Sequence, residues 1–288
     1  MLFEDTIIQL SDEVQKAVKE LFDSAFKNQS DDGDIFLILL HAFYNKENES
    51  FNRPYVFGFN DEVVHSEHAF YEFFDVVRSF TQPPGTRIDF IADSVNDIDN
   101  NYAVEKNSIH VEMLTYLKFW ESDMIIKKLY QLVRLASGKT YDWNFQIGSR
   151  SNIVRKHIRD DSKVVAPLFY NLINNCYLSQ MRNAIGHSQY NFMFKRDIGL
   201  LNFDGKQHLL RQMSFDEWEL KIHYTVLLYN EIIRWFDYYD KFYIKQSEGK
   251  HNGIGVRAIT PSGRYFWIFH KYEPDIPRWT LHESLPKK

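Results

Sequence analysis

The sequence predicts a mainly α-helical protein with small antiparallel β elements, and three observations lead there. Apolar residues recur at helical spacing through 109–136, 164–176 and 218–236. Hydrophobic residues make up 44% of the 288, with 24 Phe and 17 Tyr, which is ample for a packed core. Runs with strand character, such as 192–213 and 253–270, are short and bounded by turn residues.

Residues 11–27 and 34–46 have helical patterns, the second through Phe36, Leu37, Leu39, Leu40 and Phe43. Residues 55–59 suggest a short strand. An amphipathic helix is expected over 61–80, stopped by Gln82-Pro83-Pro84-Gly85, and 87–92 resembles another strand. The polar connector 93–108 sets the expected domain boundary. A long helix follows over 109–136, ended by Ser137-Gly138. Val164, Val165, Leu168, Phe169, Leu172, Ile173 and Cys176 line the next helix, which is expected to run on toward Gly186. Strands at 192–201 and 206–213 would flank the hairpin turn Asp204-Gly205. Ser214-Phe215-Asp216-Glu217 has the form of a capping box, opening a helix through Trp218, Ile222, Val226, Tyr229, Ile233 and Phe236. After the linker 246–253, strands 253–259 and 264–270 about the turn Thr260-Pro261-Ser262-Gly263 predict a C-terminal hairpin docked on the core. The expected units are therefore an acidic, α-rich region with minor β at 1–105, a helical bundle at 106–250 and a β-hairpin extension at 251–288.

Charge divides along the same line. Residues 1–105 carry 7 Lys+Arg against 21 Asp+Glu, a balance of −14, whereas the remainder carries 27 against 18, or +9. A halved charge map suggests two parts with different jobs, and the basic part is the one that suits an anionic partner such as RNA. No apolar run approaches a membrane span, and the N-terminus lacks the basic-then-apolar form of a signal peptide, so a cytoplasmic protein without membrane partners is expected. One cysteine, Cys176, sits on an apolar stripe, which excludes an intrachain disulfide or a cysteine metal cluster. His65-Ser66-Glu67-His68 lacks the spacing of a helical zinc-protease motif, and neither a phosphate-binding glycine loop nor a serine-nucleophile elbow occurs. No metal or other cofactor is expected.

The chemistry concentrates in Met181-Arg182-Asn183-Ala184-Ile185-Gly186-His187-Ser188. Arginine offers a planar, permanently charged fork to phosphate oxygens, and histidine exchanges a proton near neutral pH. Arg–His pairs of similar spacing also occur at Arg150–His157 and Arg264–His270, but Arg182 alone has Asn directly after it. Five residues along a helix turn a side chain by roughly 140°, so Gly186 is expected to end the helix and swing His187 back toward Arg182. Asn183 would orient the phosphate or His187, or cap the helix. Tyr190 would contact RNA or stack in the hairpin.

Glu121 falls on the apolar stripe of 109–136, four residues from both Leu117 and Ile125, and a carboxylate there needs a partner. Arg182 is the expected one, held in bidentate fashion, while Asp123 is expected to point elsewhere with Tyr116 and Tyr130. The connector 148–163 holds the densest basic stretch, with Arg150, Arg155, Lys156 and Arg159 as candidates to follow an RNA backbone by charge.

Helix, Arg-Asn-x-x-x-His, short hairpin, helix, over about residues 108–245, resembles the HEPN superfamily. Its members include RNA-cleaving toxins, abortive-infection effectors and CRISPR-associated RNases. The resemblance implies a helical bundle, with the hairpin between its last two helices, that dimerises so that two motifs line one cleft. It implies a metal-independent endoribonuclease leaving 2′,3′-cyclic phosphate ends, with Arg182, Asn183 and His187 catalytic. It also implies a setting in antiphage defence or as the toxin of a toxin–antitoxin pair, with an antitoxin or phage-derived trigger as partner. Some members paired with nucleotidyltransferases carry tyrosine two residues after the histidine; Gln189 stands there in this chain. The alternatives are a non-catalytic helical module that binds RNA or nucleotide or acts as a scaffold, and a target of AMP attachment near Tyr190.

Overall fold

The computed structural model describes residues 4–44, 55–56, 98–193, 196–206, 209–259 and 265–282, together with 69, 72 and 73. The strand expected at 87–92, the stop at 82–85, most of the helix at 61–80 and the turn at 260–263 lie outside the described residues. The described architecture is mainly helical with small antiparallel sheets.

Helix α1 (Glu4–Asn28) buries Val14, Ala17, Val18, Leu21, Phe22 and Ala25, an i, i+3, i+4, i+7 series that turns one face inward. Its Phe22 ring packs on Trp235, Phe236 and Tyr239, with centroids 5.5, 5.2 and 5.7 Å away. The short helix α2 (Asp34–Leu39) is buried throughout Ile35–Ile38. It ends where His41 takes a φ of 48°, so the helix expected to reach residue 46 gives way to strand β1 (Phe43–Tyr44), paired with β2 (Tyr55–Val56).

Helix α3 (Ile98–Glu121) begins inside the segment expected to be a connector, so the boundary anticipated near residue 105 falls within a helix. The helix expected over 109–136 breaks at Ser122, whose φ and ψ are −70° and 112°, and α4 (Asp123–Ala136) follows. The reason lies in the two buried faces. Residues Ile109, Met113, Tyr116 and Trp120 are buried in α3; carried on at helical spacing, that row would reach Lys127 and Arg134. In α4 burial centres instead on the opposite side, on Ile125, Ile126, Leu129, Leu132, Val133 and Ala136, with Met124, Gln131 and Leu135 buried beside it. A straight helix cannot bury both sets. Leu114, expected on the core stripe, is 51% exposed.

The basic segment expected to be a connector is helical. Helix α5 (Arg150–Asn152) runs into a π-wound stretch, Ile153–Asp160, and then into α6 (Asp161–Val165). Ile153, Val154 and Ile158 are buried at the four-to-five residue spacing of a π turn, leaving Arg155 and Lys156 outward. Helix α7 (Pro167–Cys176) starts on a proline, and its Leu168 and Phe169 amides donate to the Glu20 carboxylate of α1 at 2.8 and 3.4 Å. Cys176 is buried in the core, as its stripe position predicts. The chain then leaves the helix at Tyr177 and Leu178, where the Leu178 amide donates to the buried Tyr116 hydroxyl at 2.8 Å. Helix α8 (Ser179–Gly186) is thus separate from α7.

Strands β3 (Tyr190–Met193), β4 (Asp197–Leu200) and β5 (Gln212–Ser214) form an antiparallel sheet in that order. The single strand expected at 192–201 is instead two, β3 and β4, paired antiparallel, with Arg196 at a φ of 61° just ahead of β4. Asp204-Gly205 lies in the longer β4–β5 connection, with Gly205 at φ 85°. Helix α9 (Phe215–Ser247) opens on the expected capping box: the Glu217 amide donates to Ser214 Oγ at 3.2 Å and the Ser214 amide to Glu217 Oε2 at 2.8 Å. Val226, expected in its buried stripe, is 39% exposed.

The C-terminal hairpin gains a third strand: β6 (Ile254–Ile259), β7 (Tyr265–Glu273) and β8 (Arg278–His282), all antiparallel. Ile254, Val256 and Ala258 face inward. At Gly33 a Cβ would stand 2.9 Å from Val256 Cγ1, so a glycine lets the sheet close on the start of α2. Trp279 Nε1 donates to Asp240 of α9 at 2.9 Å and fixes the far edge. Among the described residues no helix is long and apolar enough to cross a membrane.

Candidate active site at the end of helix α8

Four of the nominated residues meet where α3, α4, α5 and α8 approach one another. Arg182 Nη2 contacts Glu121 Oε1, the pairing that a carboxylate on that stripe called for. Arg182 Nη1 donates to Asn183 Oδ1 at 2.8 Å. The other Glu121 oxygen lies 3.5 Å from Arg150 Nε, and Arg150 in turn donates to Asp123 Oδ1 through Nε at 2.9 Å and Nη2 at 2.8 Å. The result is an alternating row: Arg182, Glu121, Arg150, Asp123. Asp123 therefore belongs to the site and does not associate with Tyr116 and Tyr130 as expected. Those two bond elsewhere, Tyr116 to Leu178 and Tyr130 to Asp142.

The break at Ser122 creates this row. Glu121 ends one helix and Asp123 begins the next, so the two carboxylates two residues apart can share one arginine. Had the helix continued, a two-residue step would have turned them roughly 200° apart. Arg182 is half-buried, and burial lowers the pKa of its guanidinium, which nonetheless stays charged at neutral pH. Its Nε is buried without an acceptor among the described residues.

His187 stands at the C-cap of α8, exposed, with its amide donating to Asn183 O at 3.0 Å. Among the described residues its ring has no hydrogen bond or ion pair. Gly186 is the last residue of the helix, as expected, but the left-handed conformation that turns the chain falls on Ser188, φ 54°. The Gln189 amide reaches Ala184 O at 2.7 Å and the Ser188 amide reaches Ile185 O at 3.2 Å, the two bonds of a Schellman end. Packing does not require a glycine at 186 either, since a Cβ there would lie 3.7 Å from Leu117 Cδ1, an ordinary contact.

Tyr190, on β3, is bonded to α3: its hydroxyl lies 3.1 Å from His110 Nδ1, and the His110 ring packs edge-on against Phe192 at 4.8 Å. Burial raises the Tyr190 pKa. His110 was missed by sequence reasoning, and a lone exposed histidine one turn before Leu114 offered no signal. Of the basic candidates, Arg150 joins the site. Arg155 and Arg159 lie near the Tyr177 hydroxyl on the π-wound stretch; Arg159 also pairs with Asp160 at 2.7 Å, and Lys156 is exposed. Among the described residues no group of His, Cys, Asp and Glu has the arrangement to hold a metal ion.

No family model matches the chain, and no curated protein or solved structure matches it either.

Proposed function

We propose that the chain is a metal-independent endoribonuclease of the HEPN type. One observation carries the reading: Arg182, in the middle of α8, is oriented by Glu121 and Asn183, and the residue that follows this short helix is an exposed histidine. A guanidinium held in this way presents its remaining N–H groups in a fixed direction, which suits charge developing on a pentavalent phosphorus.

In the proposed reaction the RNA 2′-oxygen attacks the adjacent phosphorus and the bond to the 5′-oxygen breaks. The proton lost from the 2′-hydroxyl is matched by one delivered to the 5′-oxygen, giving a 2′,3′-cyclic phosphate and a 5′-hydroxyl. His187 moves a proton at one of these oxygens, and a second copy of the chain supplies a second histidine for the other. Arg182 stabilises the phosphorane, Asn183 and Glu121 keep it aimed, and Tyr190 and the basic residues Arg150, Arg155, Lys156 and Arg159 contact the RNA. DNA lacks the attacking group and should resist cleavage. An activity of this kind fits antiphage defence or a toxin held in check by an antitoxin in the cytoplasm, with the acidic N-terminal part serving sensing or restraint.

The test is cleavage of a labelled structured RNA in excess EDTA by the intact protein, Arg182→Ala and His187→Ala. Cleavage that survives chelation, leaves cyclic phosphate ends and is lost in both variants supports the reading. Absent cleavage, with a folded protein and no growth arrest on expression, would favour a binding or scaffold module.

A further inference from the structure

The C-terminal sheet has two faces of different character. Ile254, Val256, Ala258 and His270 point inward and are buried against α2 and α9. The outward positions of β7 are Tyr265, Trp267, Phe269, Lys271 and Glu273, as the period of a strand requires, and Glu273 stands opposite Arg278 of β8. Tyr265 is 59% exposed and Trp267 57%, large values for aromatic side chains on the middle strand of a sheet.

The opposite strand leaves these rings open. Gly255 pairs with Phe269; a Cβ there would fall 3.0 Å from Phe269 Cε1 and 3.4 Å from Trp267 Cε3. Both rings therefore lie across the glycine. Arg257 pairs with Trp267 and sets its guanidinium 3.9 Å from the centre of the Tyr265 ring, held from behind by Asp31 at 3.4 Å. The face thus holds three rings at steps of about 6.7 Å, a stacked guanidinium, and at one end Lys271 followed by Glu273.

We propose that this face is a stacking platform for single-stranded RNA, separate from the Arg182 site. Bases offer π-faces to Tyr265, Trp267 and Phe269, while Arg257 and Lys271 meet the backbone. Steps near 6.7 Å suit bases splayed along an extended strand, not the closely stacked bases of a duplex. Charge favours the same occupant: residues 251–288 hold 6 Lys+Arg against 3 Asp+Glu.

The experiment uses the intact chain and a labelled 2′-O-methyl oligoadenylate of about 12 nucleotides, which cannot be cleaved, so the result does not depend on RNase activity. Tyr265→Ala and Trp267→Ala should each weaken binding about tenfold, Trp267→Phe much less, and duplex RNA should compete poorly. Unchanged affinity in both alanine variants, no binding by the intact chain, or a loss seen only with anionic vesicles would overturn the proposal. Cleavage assays in EDTA judge the Arg182 site separately.

Discussion

Glu121 and Arg182 join the last turn of α3 to the middle of α8 through a carboxylate–guanidinium contact, and the second oxygen of the same carboxylate faces Arg150. One acid thus serves two bases. If the contact aims Arg182, Glu121→Gln should lower RNA cleavage by about tenfold to a hundredfold with little change in the unfolding midpoint. Equal activity in single-turnover assays would show that the pairing does not position the guanidinium.

The reversal after α8 gives a second prediction. Ser188 holds a left-handed backbone, which costs a non-glycine residue about 1 kcal/mol, so Ser188→Gly should raise stability by about that amount. Gly186→Ala should be neutral or stabilising, because the position is helical and the added methyl meets Leu117 at an ordinary distance. Urea denaturation of the two variants decides the matter; a loss of more than about 1 kcal/mol in Gly186→Ala would restore the glycine to the turn.

His270, within the C-terminal sheet, is held by burial at a pKa of about 4, below the ordinary 6.5. Between those values the unfolded chain binds a proton that the folded chain refuses. Stability should therefore fall as pH drops from about 6.5 toward 4. Asp34 slopes the other way: burial raises its pKa to about 6, so its contribution is complete below 3.8 and is lost as pH rises through 6. Comparing denaturation at pH 7 and pH 4.5 for the intact chain and His270→Phe isolates the histidine, and the variant should show the shallower loss on acidification.

The exposed basic residues of the π-wound stretch should act through charge alone. Arg155→Ala and Lys156→Ala are each expected to reduce the slope of log affinity for single-stranded RNA against log salt by about 0.7, with no preference among sequences. An unchanged slope would remove that stretch from the RNA path.

Much of this was legible in residue order, for reasons that are local. The capping box at Ser214 and Glu217 needs only four residues to declare itself, and the Glu121–Arg182 pairing followed from one carboxylate on an apolar row. The break at Ser122 was not legible, because each half of 109–136 is helical by itself and only the directions of their burial differ. Arg150 and Asp123 meet across 27 residues through that break, so their pairing was hidden with it. The π-wound stretch went unseen because it shows only Ile153, Val154 and Ile158 as apolar positions among many charges, too few to set a period.

Helix α1 fills the bundle with Val14, Val18, Leu21 and Phe22 all fully buried, and its Glu13 takes a hydrogen bond from Tyr224, 211 positions further along. The order of synthesis therefore matters. The first helix leaves the ribosome long before its partners at Trp235, Phe236 and Tyr239 exist, so no nascent fragment ending before them has a finished core. Arg182 and its partner Glu121 both emerge well ahead of that closure.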